Sequence, residues 1–348
     1  MKASFILHRL FAILLALSLG ATGLHCAHTG TAVPQSLNGP NTREASTDPA
    51  PHRPYAWRLE AMPRDGMPAN YRSCRNPFLA YDANEVTRRL EDPTHVTSRE
   101  GLDALNASGS AAFSDGELSQ LVRHIRETHD GPIAIVDLRS ETHGFLNGAQ
   151  VSHYGRNNWG NIGKNTAQVL ADERATIHGT LGNTIAWGPL SSKNDYQPVH
   201  TEDVLIATAR TEEEQCATEQ VGYKRIAVLD HTFPTDEAID EFIEFYRGLA
   251  PNTWLHFHCK AGKGRTTLFM AFYDMMRNPG VSLQDIAYRQ CLIGGKYVLY
   301  DGYNDPGWKQ ELYREKAALV PVFYQYVQEN AATGYATPYS EWKRGVRR

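Results

Sequence analysis

The stretch WLHFHCKAGKGRTTLFMAFYDMM, residues 254–276, sets the framework for everything else. Trp254–His258 is a short apolar run of strand character, and Leu268–Met276 is apolar almost all round, as a fully buried helix must be. Between them lie one cysteine, two lysines, two glycines, an arginine and two threonines. A strand that feeds a helix through so tight a loop turns backbone N–H groups inward as an anion nest, and the helix N-terminus adds positive potential there. Gly262 and Gly264 supply the backbone freedom and keep side chains out of the cup.

Other segments place this unit in an α/β framework. Leu118, Leu121, Val122 and Ile125 recur at helical spacing, and after a turn at Asp130–Pro132 comes the β-branched run Ile133–Asp137. KRIAVLD, Lys224–Asp230, repeats the strand signal. Thr235 then caps a helix whose Asp236 and Glu237 suit the N-terminal dipole. Strands alternating with helices predict a central, partly parallel sheet flanked by helices. Residues 141–209, rich in Asn, Gly and His, read as a small additional β-rich subdomain beside it. Near the C-terminus, Pro321 divides two helical patterns and predicts a kink or two separate helices.

The 348 residues, 41% hydrophobic and 21% charged, can bury an ordinary core, and the formal charge of −4 argues against a general nucleic-acid binder. Residues 1–23 have the basic start, apolar run and small residues of an export signal, with no stable membrane insertion expected after its removal. Residues 24–54 read as a flexible linker, and one folded domain is expected over 55–348. Export implies a periplasmic or secreted protein. Lipidation at Cys26 is disfavoured by His25, which stands where a small residue belongs. The five cysteines fit neither a zinc pattern nor a dense disulfide framework, and Cys259 is expected to stay free.

A free thiol, with a pKa near ~8.5, is mostly protonated at neutral pH, so a nucleophilic cysteine needs an anion-stabilising cradle. The loop after Cys259 provides one, made of Lys260, Ala261, Gly262, Lys263 and Gly264, and Thr266 can donate its hydroxyl to the sulfur. The same cup holds a phosphoryl group, and Arg265 can grip two of its oxygens in a planar fork. A nucleotide-binding loop would need Ser or Thr where Gly264 follows Lys263. A metal site on His256, His258 and Cys259 fits poorly, because strand alternation puts the cysteine opposite the histidines. The histidines are expected to brace the loop.

Phosphoester cleavage needs an acid for the departing oxygen, and Asp230, at a strand end leading into a loop, is the candidate. Lys309, Tyr313 and Lys316 share a helical face by spacing, which alone reads as a solvated surface.

These motifs resemble the cysteine-dependent phosphatases of the protein tyrosine phosphatase superfamily, and within it the PTP-like phytases. The resemblance runs from about Tyr71 to the end and is strongest in VDLRSETHGFLNG, NIGKN, RIAVLDHTFPT, LHFHCKAGKGRTT and YREK. It implies that Cys259 is the nucleophile, Arg265 the phosphate clamp and Asp230 the general acid with His231 beside it. It also implies substrate contacts at Arg72 in NYRS, Asp137 in VDLR, Lys164 in NIGK, and Lys309, Tyr313 and Lys316. The expected activity is release of phosphate from inositol polyphosphates, with no cofactor and no metal. CKAGKGR departs from the phytase pattern at Lys260 and Lys263 and resembles a phosphoinositide phosphatase loop. Phosphotyrosine or phosphoinositide hydrolysis, or an inactive phosphate-binding module, are therefore the alternatives.

Overall fold

The computed structural model describes residues 56–191, 197–305 and 307–346. The export signal, the linker and Cys26 lie outside the described residues. Thirteen strands are found among the described residues: β1 (Ala56–Ala61), β2 (Arg72–Ser73), β3 (Ala107–Ser110), β4 (Ile133–Arg139), β5 (His143–Leu146), β6 (Ala149–Tyr154), β7 (Thr184–Gly188), β8 (Leu190–Ser191), β9 (Gln197–Pro198), β10 (Glu202–Leu205), β11 (Ala209–Arg210), β12 (Gly222–Val228) and β13 (Trp254–His258). The helices are α1 (Asp115–Arg126), α2 (Thr166–His178), α3 (Glu212–Thr218), α4 (Asp236–Arg247), α5 (Gly264–Arg277), α6 (Leu283–Leu292), α7 (Trp308–Asn330) and α8 (Tyr339–Val346).

The sheet that carries the site has the order β12-β4-β13-β3-β2. β13 is buried along its whole length and runs parallel to both neighbours, β3 and β4, while β12 is parallel to β4 and only β2 is antiparallel. A strand covered on both faces must be apolar throughout, which is why WLHFH lacks polar alternation except at its two histidines. Because β4, β12 and β13 are parallel, their carboxyl ends open on one edge, where ligands bind in sheets of this kind. α5 leaves that edge and runs back through the core, with Leu268–Met276 all buried.

Residues 141–209 contribute α2 and the strands β5 to β11. A second sheet, β10-β7-β1-β6-β5-β11, takes β1 into its middle. β1 pairs antiparallel with β6 and parallel with β7.

Two local expectations come out differently from one another. Thr235 caps α4, its hydroxyl accepting from the Ala238 amide at 3.2 Å. α7, however, runs unbroken from Trp308 to Asn330 with Pro321 inside it, so the two helical patterns form one helix rather than two separate ones. Pro321 is exposed, so the carbonyl it leaves without a donor can be solvated, while buried Leu319, Val320, Phe323 and Val327 hold both halves to the core. Phe323 stacks on Phe272 of α5, with centroids 3.9 Å apart.

Candidate active site

The loop from Cys259 to Arg265 is shaped from outside. Lys260 O accepts from the Ala112 amide at 3.2 Å, Ala261 O from Asn70 Nδ2 at 3.0 Å, Gly262 O from Arg72 Nη1 at 2.6 Å, and Lys263 O from Thr267 Oγ1 at 2.6 Å. Four successive carbonyls therefore turn away from the cup. In a trans peptide the following N–H points opposite to the C=O, so the amides of Ala261, Gly262, Lys263 and Gly264 face the concave side. Gly262 has φ +66°, and a Cβ there would stand 2.3 Å from the Ala111 nitrogen. Only glycine fits.

Cys259 is 3% exposed and accepts a hydrogen bond from Thr266 Oγ1 at 3.2 Å. Arg265 is equally buried, its guanidinium held by Glu141 and by the Val228 carbonyl, 3.0 Å from Nη1. Its Nη2 lies 3.3 Å from Asp230 Oδ1. Asp230 also accepts from Asn158 Nδ2 at 2.7 Å, and its carbonyl accepts from the Trp159 indole at 2.9 Å. Burial would raise the Asp230 carboxyl, but Arg265, His231 and the Asn158 donor outweigh it and hold the group well below the usual carboxylate range. His231, in a left-handed backbone conformation at φ +70°, caps this turn, its amide donating to Asp230 Oδ1 at 3.0 Å.

Cys259, Arg265, Asp230, His231, Ala261, Lys263, Gly264, Tyr313 and Lys316 line a single cavity of about 220 Å³. Burial lowers the Lys316 ammonium to about 8 even though Asp230 and Cys259 act the other way. Lys309 is not in the cavity lining; its Nζ lies 5.3 Å from the ring centre of Trp308, which meets the lining residue His231 edge-on. Lys260 is half-buried beside Arg58 and Glu60 rather than in the cavity wall.

Three residues expected to touch substrate are absent from the cavity lining and are paired within the protein. Arg72 is 1% exposed and bonds the back of the loop, through Gly262 O and Thr267 Oγ1. Asp137 is fully buried, accepting from Tyr223 Oη at 2.8 Å and pairing with Arg225 at 2.9 Å. Lys164 sits just ahead of α2 and pairs with Asp172 at 2.6 Å. Conversely, Glu141, Asn158, Arg89, Lys296 and Tyr300 reach the site or its walls without having been singled out in the sequence. Glu141 lay inside the quoted VDLRSETHGFLNG, whose acidic residue two positions past the strand-end Arg139 was the available signal.

Behind the loop lies a buried ionic network. His256 bonds Ser108 and Ser110, each at 2.9 Å. His258 meets not the loop backbone but Glu212, with Nε2 2.6 Å from Oε1. His143 joins Asp137 at 3.0 Å and Glu212 at 3.2 Å, while Arg225 reaches Asp137 and Glu173. Burial and Arg139 push the His143 imidazole down, but Asp137 and Glu173 prevail and lift it to about 9. Asp137, Glu212 and His258 bring ligand atoms within 4.8 Å of one another. Arg225 and His143 already neutralise those carboxylates, which makes the group an ion network rather than a cation seat. The four described cysteines, Cys74, Cys216, Cys259 and Cys291, are free thiols.

A family model described as PTP-like phytase, inositol hexakisphosphate, matches residues 136–277. The tandemly repeated PTP-like phytase of Mitsuokella multacida is similar at 43% identity and a TM-score of 0.79, over 84% of this chain and 49% of that one. The myo-inositol phosphatase of the same organism, solved in complex with myo-inositol-(1,3,4,5)-tetrakisphosphate, matches to the same extent. A PTP-like phytase from Bdellovibrio bacteriovorus is similar at 29% identity and a TM-score of 0.65, over 85% of this chain and 97% of that one. Among curated proteins, the effector protein hopD2 of Pseudomonas syringae is 27% identical over 71% of this chain and 53% of its own length. The chain thus spans about half the length of the first relatives it matches. The family model and the solved structures that the chain resembles are thus PTP-like phytases alike, and the chain shares their fold, with the Cys259 loop in place between β13 and α5.

Proposed function

We propose that the protein is a phosphomonoesterase that removes phosphates stepwise from myo-inositol hexakisphosphate and lower inositol polyphosphates through a phosphocysteine. The observation that carries this reading is the meeting of Cys259, Arg265 and Asp230 on one cavity rimmed by lysines. The Cys259 thiolate attacks phosphorus, forming an S–P bond as the P–O ester bond breaks. Arg265 and the four inward amides stabilise the charge on the transferring group. Asp230 gives its proton to the departing inositol oxygen. Water then attacks the phosphocysteine, its proton passes to Asp230, and the S–P bond breaks to release inorganic phosphate and the thiolate.

Asp230 can play the acid only when protonated, and in the free site Arg265 opposes that. A phosphate dianion on Arg265 cancels the guanidinium's field and favours protonation of the carboxyl, so the acid is armed by the substrate itself. Inositol polyphosphate as substrate class is supported by the tetrakisphosphate bound to the Mitsuokella relative. A phosphoinositide or phosphotyrosine substrate is the second reading, favoured by the CKAGKGR loop and by Trp308, half-exposed beside the mouth.

The test is phosphate release by the reduced protein from inositol hexakisphosphate, a phosphoinositide and a phosphotyrosine peptide, with Cys259→Ser as control. Activity that survives in the control overturns the mechanism, and preference for the peptide overturns the substrate class. No helix among the described residues is long and apolar enough to cross a membrane. Export, proposed from residues 1–23, is checked by fractionating the cells that make the full chain.

A further inference from the structure

The cavity has a second cationic wall, built from the chain after α6, that the chemistry above does not use. Ile293–Lys296 folds back against the first turn of α5. The Gly295 amide donates to Gln290 O at 3.1 Å, and the Lys296 amide donates to Thr267 Oγ1 at 3.1 Å. That hydroxyl also donates to Lys263 O, so one threonine ties Lys296 to the Cys259 loop. The turn is built for close approach. Gly294 has φ +110°, and a Cβ on Gly295 would stand 2.3 Å from Gln290 O and 2.7 Å from the Thr267 methyl.

The result brings Lys263 and Lys296 to the wall of the cavity that holds Cys259. Among the described residues neither has a carboxylate within ion-pair distance. Arg89 lines the same wall with its guanidinium 4.3 Å from the ring centre of Tyr300, fixed there by Glu85 and Asp305. Burial first, then the like charges of Arg89 and Lys263, lower the Lys296 ammonium. Two unpaired lysines held close by a rigid turn repel each other, an arrangement that an anion between them relieves.

Resting on the phosphatase reading above, we infer that Lys263 and Lys296 form a seat for a second phosphate on the ring whose neighbouring phosphate sits over Cys259, with Arg89 and Tyr300 as its back. The seat selects esters carrying several phosphates over monoesters.

The experiment compares kcat/KM on myo-inositol hexakisphosphate and on p-nitrophenyl phosphate for the full chain, Lys296→Gln and Lys296→Arg. A lost charge-assisted contact predicts that K296Q falls roughly tenfold on the hexakisphosphate, about fivefold more than on the aryl ester, while K296R keeps the ratio within about twofold. Weaker binding of inositol hexakisphosphate to C259S/K296Q than to C259S, by calorimetry, reads the same contact without turnover. An equal loss on both substrates, or none on the hexakisphosphate, overturns the seat and leaves the phosphatase reading standing. Failure of the unmodified protein to release phosphate from either ester overturns that reading, and the seat with it.

Discussion

Glu141 clasps the guanidinium of Arg265 edge to edge, Oε2 2.7 Å from Nη1 and Oε1 2.9 Å from Nη2, across 124 residues of chain. Burial would raise the Glu141 carboxyl, yet Arg265 and Arg139 bring it down to about 2. The pair fixes the plane of the arginine fork, and a fork held in place loses less freedom when it takes phosphate.

Glu141→Gln keeps the shape but removes the charge facing two buried arginines. Breaking such a pair costs on the order of 3 kcal/mol, and the expected result is a lower Tm with kcat/KM down by roughly two orders of magnitude. Calorimetry and steady-state kinetics check it. A variant with wild-type kinetics would show that Arg265 needs no partner to stay aligned.

Asn158 holds Asp230 ionised by donating to it. Asn158→Asp puts a second carboxylate there instead, and like charge raises the acid's pKa. The alkaline limb of the kcat profile should move to higher pH, while Asp230→Asn loses that limb and slows alkyl esters far more than aryl phosphates. Equal slowing of both ester classes would remove Asp230 from its role.

Lys316, at about 8 in the free site, is charged below that pH and neutral above it. The KM for inositol hexakisphosphate should therefore rise as pH passes through about 8, and Lys316→Arg, which stays charged, should flatten that rise. A pH-independent KM in the native protein refutes the contact.

The network behind the loop predicts a stability optimum bounded on both sides. Glu212 is brought down to about 2, His258 overcoming the raising effect of burial, so its contribution is complete above about 4.5 and is lost as pH falls toward 2. His143 is raised to about 9, so its contribution is complete below about 6.5 and is lost as pH rises through 9. Melting temperatures across that range should fall at both ends, and Glu212→Gln should lower the plateau and make the acid limb shallower.

What the sequence made legible was local. Strand, loop and α5 follow one another without interruption, so Cys259, Arg265 and Thr266 could be placed from spacing, and Thr235 could be placed as a cap from its neighbours. The partners came from far along the chain. Glu141 reaches Arg265 across 124 residues, and Asn158 reaches Asp230 across 72, and neither separation leaves a mark in any window of local periodicity. Arg72 shows the opposite effect, since an arginine in a polar segment reads as available charge until the carbonyl of Gly262 is found beside it. Pro321 belongs here too, because its helix-breaking tendency is a local property and the packing of Phe323 on Phe272 is not.

The position of β1 bears on how the polypeptide is made and handled. Ala56 lies opposite Tyr154, so the earliest described strand leaves the ribosome long before its partner exists and must wait, unpaired, for almost a hundred residues of synthesis. An expression boundary drawn after Ala61 would leave β6 and β7 each with a bare edge, inviting another molecule to supply the missing strand, whereas a cut just before Ala56 keeps every described strand of the sheet.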